Sequence, residues 1–231
     1  MNTIFLDTET TGTGDNDRLV QVAFKAPYCN TFSDQIYKSP VPITIEAMSI
    51  CHITNEMIEN KEPFIGSNEC KFLQTELAKP DTVFVAHNAS FDLKMLVKEG
   101  IVMPEKHICT MKVAYFHDKE DVLPQKKLQF LRYQFGLKFD QVINPHDALS
   151  DVIVLEKLFE YYRQFYSIEE MVDISSKPIL LKKFAFGKYK GQWFKDVAEK
   201  DIFYIDWVRN NVAMDENLKH TIDYYYNLKP R

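Results

Sequence analysis

Two carboxylates, Asp7 and Glu9, stand two residues apart at the end of a short apolar strand, Ile4–Leu6. Side chains alternate between the two faces of a strand, so both carboxylates point to the same face. Two acidic groups on one face can begin a metal site or an acid–base site. A lone Asp-x-Glu pair more often belongs to a charged surface. It indicates a functional site only if other segments of the chain contribute further site residues.

A second acidic segment, His87 to Asp92, follows the apolar strand 82–86 and opens a helix. Asn88 suits the N-cap of that helix. Asp92 falls in the first turn, where the positive end of the helix dipole stabilises an ionised carboxylate. Capping accounts for Asn88 but not for Asp92, which is therefore a candidate site residue. We expect His87 to be structural, with hydrogen bonds to the turn between strand and helix.

The third segment, His146 to Asp151, begins the longest predicted helix, at about residues 147–165. Asp151 lies at the edge of a buried stripe with four-three spacing. That stripe consists of Ala148, Val152, Leu155, Phe159 and Tyr162. Five residues of helix turn through about 500°, so His146 and Asp151 would not share a helix face. We predict that His146 lies on the loop before the helix, from which it can reach a substrate.

The three segments together predict one site with four carboxylates. Carboxylates that converge raise each other's pKa values unless a cation lies among them. Oxygen ligands favour Mg²⁺ or Mn²⁺, and two such ions about 3.5–4 Å apart can activate water and stabilise the leaving oxygen of a phosphodiester. A histidine such as His146, with an ordinary pKa of about 6.5, is suited to accept the proton of that water.

The strands and helices that position these residues follow a different pattern in the first and later parts of the chain. Early antiparallel strands are followed by strand–helix alternation, which predicts an α/β fold with a mixed five-stranded sheet flanked by helices. The predicted strands are 4–6, 19–24, 31–38, 82–86 and 107–110. The predicted helices of this part begin near Ser67, after residue 86, near Lys127 and near Asp147.

Length and composition limit the class of protein. With 231 residues, 45% of them hydrophobic, the chain can form one α/β core and a small appendage. No apolar run reaches the roughly 18–20 residues of a membrane span, and the N-terminus lacks a signal-peptide pattern. We expect a soluble, cytoplasmic protein with no membrane partner. The cysteines, Cys29, Cys51, Cys70 and Cys109, lack zinc-type spacing and are expected to be reduced.

Charge is unevenly distributed along the chain. The net charge of -5 argues against a general polyanion binder. Residues 1–176 hold 17 basic and 26 acidic side chains, whereas residues 177–231 hold 11 and 7. Phosphate contacts are therefore expected in the C-terminal part, although a solvated basic face would explain the same excess.

A domain boundary is predicted at Pro178 and the polar run before it. We place a main domain at 1–166, a linker at 167–180 and a small module at 181–231, formed by a hairpin and helices near 201–212 and 215–227. Four lysines of the hairpin are possible DNA contacts: Lys182, Lys183, Lys188 and Lys190. They alternate with aromatic residues, namely Phe184, Phe186 and Tyr189. The aromatic residues form either a DNA-binding platform or the core of the hairpin.

In order and context, three motifs resemble those of the DEDD exonucleases of the histidine subtype, which include DNA polymerase III epsilon and ribonuclease T. They are Asp7-x-Glu9-Thr10, His87-Asn88-Ala89-x-Phe91-Asp92 and His146-x4-Asp151. The resemblance implies a ribonuclease H-like exonuclease fold. It implies that Asp7, Glu9, Asp92 and Asp151 bind two Mg²⁺ or Mn²⁺ ions and that His146 is the general base. It further implies contacts to the 3′-terminal nucleotide from Thr10, Thr54, Asn88 and Phe91.

Further segments resemble one bacterial branch of this family, the exodeoxyribonuclease X type, which has a small C-terminal domain. These segments are 85–92, 108–112, 186–191 and 196–199. The resemblance implies distributive 3′→5′ digestion of single-stranded DNA, and of the 3′ ends of duplex DNA, to 5′-mononucleotides in DNA repair.

Two departures from this branch affect substrate contacts. The substrate loop reads Ile50-Cys51-His52-Ile53-Thr54 where many relatives have Ile-His-x-Ile-Thr, so the histidine is displaced by one position. The acidic loop Asp15-Asn16-Asp17 is expected to repel a phosphate backbone.

Other functions use similar motifs. An exoribonuclease has the same metal chemistry and differs in contacts to the 2′-OH. A polymerase proofreading subunit is a further enzyme of this kind. Outside enzymes, the alternative is a non-catalytic nucleic-acid-binding scaffold. The presence of all five catalytic residue types favours an enzyme.

Overall fold

The computed structural model describes residues 1–228, and its centre is a five-stranded sheet. The strands are β1 (Asn2–Thr10), β2 (Leu19–Ala26), β3 (Thr31–Ile36), β4 (Thr82–Ala86) and β5 (Lys106–Cys109), in the order β3-β2-β1-β4-β5. The pairs β1–β2 and β2–β3 are antiparallel, and β1–β4 and β4–β5 are parallel. The predicted mixed sheet is confirmed.

Eleven α-helices accompany the sheet within the described residues. In the first part of the chain they are α1 (Ile45–Cys51), α2 (Asn55–Ile58), α3 (Asn68–Leu77), α4 (Ala89–Lys98), α5 (Thr110–His117), α6 (Leu128–Gln134), α7 (Ala148–Tyr162) and α8 (Ile168–Ser176). They are followed by α9 (Phe194–Lys200), α10 (Ile202–Asn211) and α11 (Glu216–Asn227). The four helices predicted for the main domain correspond to α3, α4, α6 and α7.

Strand β1 lies in the middle of the sheet and has two different faces. On one face, Ile4 and Leu6 join a buried core with Leu73 of α3 and Leu96 of α4. On the other face, Phe5 packs edge-to-face against Phe159 of α7, with ring centroids 5.1 Å apart. Alternation along the strand therefore directs the later odd-numbered residues towards the side covered by α7.

Helix α7 begins and packs as its sequence predicts. The Asp147 side chain accepts a hydrogen bond from the backbone N of Ser150 at 3.1 Å, which caps the helix. The predicted stripe, Ala148, Val152, Leu155, Phe159 and Tyr162, is buried throughout. These contacts fix the first turn of α7 against β1 and β2.

The structure differs from prediction in the segment 167–180. Residues Ile168–Ser176 form α8, which packs against β5. Ser175 Oγ accepts a hydrogen bond from the backbone N of Cys109 at 2.9 Å. The polar run concealed this helix because the partner of Ser175 lies on a distant strand. The first compact unit consequently comprises Met1–Ala114 and Gln125–Ser176.

A second compact unit combines Tyr115–Pro124 with the chain from Lys177 onwards. Its core consists of Phe184, Tyr189, Phe194, Val197, Ile205, Val208, Leu218 and Ile222. Instead of a longer hairpin, there is one antiparallel bridge between Lys183 and Trp193. Helices α10 and α11 lie where they are predicted, and α9 is an additional helix that the hairpin prediction did not include.

All four cysteines are free thiols, as expected, and only Cys29 is exposed. Among residues 1–228, no helix is both long enough and apolar enough to cross a membrane.

Candidate active site and metal centre

Three carboxylates converge where β1 ends beside α7. Asp7 and Glu9 project from the same face of β1, and Asp151 comes from the first turn of α7. Each offers an oxygen atom, and these three atoms all lie within 4.8 Å of one another. The separation suits coordination of a shared cation by oxygen ligands, which hard ions such as Mg²⁺ and Mn²⁺ prefer.

Asp92, the fourth predicted carboxylate, lies in the first turn of α4 and is 3% exposed. Its Oδ1 accepts a hydrogen bond from Thr8 Oγ1 at 2.8 Å. Thr8 lies between the two acidic residues of β1 and projects to the other face. Asp92 is close enough for its charge to raise the pKa of Asp7. The four predicted carboxylates therefore lie close to one another in the folded chain.

Burial is the main cause of raised pKa values in this cluster. It raises the pKa of Asp7 well above its ordinary value, with further increases from Asp92 and Asp151. Burial and the neighbouring carboxylates raise the pKa of Glu9 to about 8. Burial also raises the pKa of Asp92 to about 7, against the lowering effect of the Thr8 hydrogen bond. A bound cation would reverse this repulsion, so the donor set fits a metal centre.

Asp151 is oriented by two hydrogen bonds. Its Oδ1 accepts from the side-chain amide of Gln129 in α6, and its Oδ2 accepts from the backbone N of His146 at 3.1 Å. Burial raises the pKa of Asp151, while the bond from Gln129 lowers it. The sequence analysis missed Gln129, because a glutamine in an amphipathic helix carries no local sign of a partner 22 residues away.

His146 lies before α7, as predicted. Its backbone has a φ of 63°, in the left-handed region, and its side chain is exposed. The charge of its imidazole lowers the pKa of Asp151, which places the ring within electrostatic range of the cluster. The structure thus brings together all five predicted catalytic residues.

His87 has the structural role expected of it, although its partners differ from those predicted. Its Nδ1 lies 2.9 Å from Thr110 Oγ1, and its Nε2 lies 2.8 Å from the carbonyl oxygen of Lys126. These bonds connect the end of β4 with the start of α5 and with the loop before α6. Burial lowers the pKa of His87 to about 4, so the ring is neutral at neutral pH and donates to the carbonyl oxygen.

Asn88 departs from the predicted capping role. It occupies the N-cap position of α4, but its side chain makes no capping hydrogen bond. Its backbone has a φ of 66°, a conformation that asparagine tolerates better than most residues. The Asn88 side chain is exposed and is therefore available for a contact outside the helix.

A cavity of about 420 Å³ adjoins the carboxylates. Of the four predicted nucleotide contacts, Thr10 and Phe91 line it, whereas Thr54 and Asn88 do not. The walls also include Thr44, Glu46, Ala47 and Ile50 from the start of α1 and the helix itself. The sequence analysis missed this wall because it predicted no helix between residues 45 and 51. Ile50 and Phe91 give the cavity an apolar surface next to its carboxylate Glu9.

The altered substrate loop leaves His52 outside this cavity. His52 is the C-cap of α1, has a φ of 58° and is exposed. The preceding residue, Cys51, is buried in a small apolar cluster with Ile53. The one-residue displacement therefore places a thiol in the core and the imidazole in solvent.

The acidic turn between β1 and β2 is less repulsive than its sequence indicates. Asp17 accepts hydrogen bonds from Thr11 Oγ1 at 2.8 Å and from the backbone N of Gly14 at 2.6 Å. Asp15 pairs with Lys94 of α4 at 2.7 Å. Part of the negative charge is thus directed into the turn itself or towards a lysine.

A second set of contacts ties this turn to the end of α4. Lys98 donates to the carbonyl oxygens of Gly14 at 3.1 Å and Asp17 at 2.9 Å. The Arg18 guanidinium makes a two-pronged contact with Glu99, at 2.7 and 2.9 Å. Because α4 also carries Asp92, these bonds link a wall of the cavity to a helix of the metal centre.

Two of the four hairpin lysines, Lys182 and Lys183, contact the segment Tyr115–Pro124 of the same unit. Lys182 Nζ donates to the carbonyl oxygens of Asp118 at 2.9 Å and Lys119 at 2.7 Å. Lys183 pairs with Asp121 at 3.3 Å. Of the aromatic residues between them, Phe184 belongs to the buried core. The structure therefore supports the interpretation of the hairpin aromatics as core.

The mixed five-stranded sheet flanked by helices is the fold of the ribonuclease H-like exonucleases. A family model described as "Exonuclease" matches residues 4–159, and one described as "Exodeoxyribonuclease X-like C-terminal" matches residues 184–213. Since the first covers more than half of the chain, the chain belongs to this exonuclease family and is a nuclease.

Relatives extend this result to both parts of the chain. Exodeoxyribonuclease 10 of Escherichia coli K12 is 33% identical over 191 residues, which cover 80% of each chain. DNA polymerase III subunit epsilon of Treponema pallidum is 32% identical over 165 residues, or 66% of this chain and 72% of that one.

Solved structures agree with the family assignment. A structure of exonuclease X in complex with 5′-overhanging duplex DNA superimposes with a TM-score of 0.60 and 26% identity, covering 75% of this chain and 99% of the other. The Escherichia coli exonuclease I complex with single-stranded DNA has a TM-score of 0.56 at 18% identity, covering 73% and 42%. The latter shows a shared fold.

Proposed function

We propose that this exonuclease is a metal-dependent 3′→5′ exodeoxyribonuclease that releases 5′-mononucleotides, with a role in DNA repair. The observation that carries the proposal is the convergence of Asp7, Glu9 and Asp151 within 4.8 Å. Asp92, which accepts a hydrogen bond from Thr8, is the fourth carboxylate. Oxygen-only ligands of this kind are suited to two Mg²⁺ or Mn²⁺ ions.

In this mechanism the residues of the chain have distinct tasks. Asp7, Glu9, Asp92 and Asp151 would hold the metal ions. When bound, two ions stabilise the charge on the attacking and leaving oxygens of a phosphodiester. The exposed His146 accepts the proton of the attacking water. Thr10 and Phe91, in the adjoining cavity, hold the 3′-terminal nucleotide, and Asn88 contacts it from the start of α4.

The choice of DNA rests on the relatives. The E. coli relative is named exodeoxyribonuclease and is similar over most of both chains. The similar exonuclease X structure contains duplex DNA with a 5′ overhang. These support DNA as the substrate, including the 3′ ends of duplex DNA, and single-stranded DNA is proposed as a second substrate.

A polymerase proofreading subunit is the second candidate, because the T. pallidum relative is a polymerase III epsilon subunit. The match of residues 184–213 to an exodeoxyribonuclease X-like C-terminal family favours the first proposal. Co-purification with a polymerase would favour the second.

The test compares oligonucleotides labelled at either end. The purified chain is incubated with 5′-labelled and 3′-labelled single-stranded DNA and RNA of one sequence, with Mg²⁺ or EDTA. Asp7→Asn, which keeps the shape of the side chain and removes its charge, is the matched control. Stepwise shortening of the 5′-labelled DNA, with immediate mononucleotide release from the 3′ label, is expected.

Each component of the proposal has its own contrary outcome. Mononucleotide release from the 5′ label would reverse the polarity. Faster cleavage of RNA would identify an exoribonuclease. Equal cleavage in EDTA, or by Asp7→Asn, would refute the metal mechanism.

A further inference from the structure

Helix α10 carries two large aromatic side chains on its solvent side. Phe203 is 82% exposed and Trp207 is 52% exposed. They are four residues apart, so they lie on the same face of the helix, one turn from each other. Adjacent exposed aromatic residues of this size often mark a binding surface.

The indole of Trp207 is supported from beneath by packed rings. It stacks on Tyr204 with centroids 5.8 Å apart and planes inclined by 23°. Tyr204 in turn packs edge-to-face against the buried Tyr189, at 4.9 Å, and against the buried Phe184, at 5.6 Å. The indole is thus anchored through Tyr204 to the core of the second unit, while about half of its surface remains exposed.

Two lysines lie over Tyr189, the ring that packs against Tyr204 on the buried side of Trp207. The ammonium of Lys188 lies 4.8 Å from the centroid of Tyr189, and that of Lys200 lies 5.8 Å from it. Lys188 also pairs with Asp201 at 3.2 Å, but its side chain remains 65% exposed. Asp201 caps α10, so this positive charge lies at the start of the helix that carries the exposed aromatic residues.

We propose that this surface, here called the α10 face (Lys188, Lys200, Phe203 and Trp207), binds single-stranded DNA. Unpaired bases stack on the two aromatic rings, and the phosphates between them meet the two ammonium groups. In a duplex the faces of the bases are covered by their neighbours, so an exposed ring selects unpaired strands. The choice of DNA over other single strands rests on the proposed function.

The α10 face is distinct from the four hairpin lysines expected to contact DNA. It shares only Lys188 with that group. Lys182 and Lys183 are held by carbonyl oxygens and by Asp121. The proposal therefore assigns binding chiefly to aromatic residues that the sequence analysis did not select.

A binding experiment tests the proposal without cleavage. The chain has two tryptophans, so the full-length Trp193→Phe variant has Trp207 as its only indole. Titration with a 20-nucleotide oligo-dT in EDTA is expected to quench its fluorescence saturably. Blunt duplex of the same length should quench it much less. The reciprocal Trp207→Phe variant, which reports from Trp193, should show little quenching.

A kinetic experiment tests whether the surface contributes to substrate capture. Loss of one stacked base costs a factor of about five or more in affinity. The double variant Phe203→Ala/Trp207→Ala is therefore expected to raise KM for the 20-mer by about fivefold or more, with kcat unchanged. KM for a trinucleotide should not change. Phe32→Ala, which removes a phenylalanine of similar exposure from β3 (70% exposed), is the matched control.

The outcomes separate this proposal from the proposed function. A folded double variant with unchanged KM for the 20-mer, together with unquenched Trp207, would overturn the α10 proposal, even if DNA cleavage is normal. Saturable quenching by oligo-dT would support the α10 face even if the parent chain failed to cleave DNA.

Discussion

Asp151 is held at both carboxylate oxygens, which limits the directions from which it can bind a metal ion. Gln129 donates to Oδ1 and the backbone N of His146 donates to Oδ2. Each oxygen has a second lone pair, and these remain available to a cation. Arg132 donates to Gln129 Oε1 at 3.2 Å, so the NH₂ group of the amide must face Asp151. Gln129 is thus a positioning residue for Asp151, one of the proposed metal ligands.

We predict that Gln129→Ala weakens metal binding by about tenfold, the lower end of the usual effect of removing a partner of a metal ligand. The loss follows because Asp151 can then rotate away from the cluster. Titration with Mn²⁺, followed by electron paramagnetic resonance or by melting temperature, measures the change. Gln134→Ala, on the same helix at an exposed position, should bind Mn²⁺ like the parent.

His146 lies on the loop before α7 with its side chain exposed, which has its own consequence at the residue scale. We predict that His146→Ala lowers kcat by about a hundredfold or more, as is typical for loss of a general base. Its Mn²⁺-induced increase in melting temperature should remain, because the backbone N that binds Asp151 is unchanged. Full activity in this variant would remove His146 from the mechanism.

At the scale of elements, the contact between Arg18 and Glu99 fixes the start of β2 against the end of α4. Glu99 is buried, and Arg18 is partly exposed. We predict that Arg18→Met lowers the free energy of unfolding by about 3 kcal/mol, because it leaves a buried carboxylate without its cation. The same variant should raise KM, since the turn before Arg18 lines the cavity. Urea denaturation and steady-state kinetics measure the two effects.

A double-mutant cycle checks this cause. In Arg18→Met/Glu99→Gln the buried charge is absent, so much of the lost stability should return. If the double variant is no more stable than Arg18→Met, the destabilisation has another origin, such as lost packing of the arginine side chain.

Features that depend on one helix or strand were predictable from the sequence, whereas features that depend on contacts between distant elements were not. Asp7 and Glu9 were predictable as a pair because strand periodicity is local, and α7 was predictable from its buried stripe. Gln129 and Ser175 were not, because each acts through a hydrogen bond to a residue 22 or more positions away. The prediction of a linker failed for the same reason, since the pairing that buries Ser175 depends on the whole sheet.

For the whole molecule, the raised pKa values imply that the metal-free protein is less stable at higher pH. Carboxyl groups have ordinary pKa values near 4, whereas burial raises the pKa of Asp92 to about 7 and that of Glu9 to about 8. At pH values between the ordinary and the raised pKa values, the folded chain binds more protons than the unfolded chain. The free energy of unfolding therefore falls as pH rises. We therefore predict that the melting temperature in EDTA decreases between pH 5.5 and pH 8.5.

Metal ions should oppose this decrease, because they favour the ionised carboxylates of the folded state. The Mn²⁺-induced increase in melting temperature is expected to be larger at pH 8 than at pH 5.5. Asp7→Asn should show a flatter pH dependence in EDTA, since one repelling charge is absent. A melting temperature in EDTA that rises over this range would contradict the assigned pKa shifts.

The alternation along β1 also bears on how the chain avoids misfolding. Asp7 and Glu9 face the carboxylate cluster with Asp151, while Thr8 between them faces Asp92. A slip of one residue in strand pairing would exchange the two faces, driving both acidic side chains into the apolar core that contains Ile4 and Leu6. Burying two unpaired charges there is far more costly than losing a few packing contacts. Asp7 and Glu9, the residues assigned to catalysis, thus also disfavour a shifted pairing of the central strand while the protein folds.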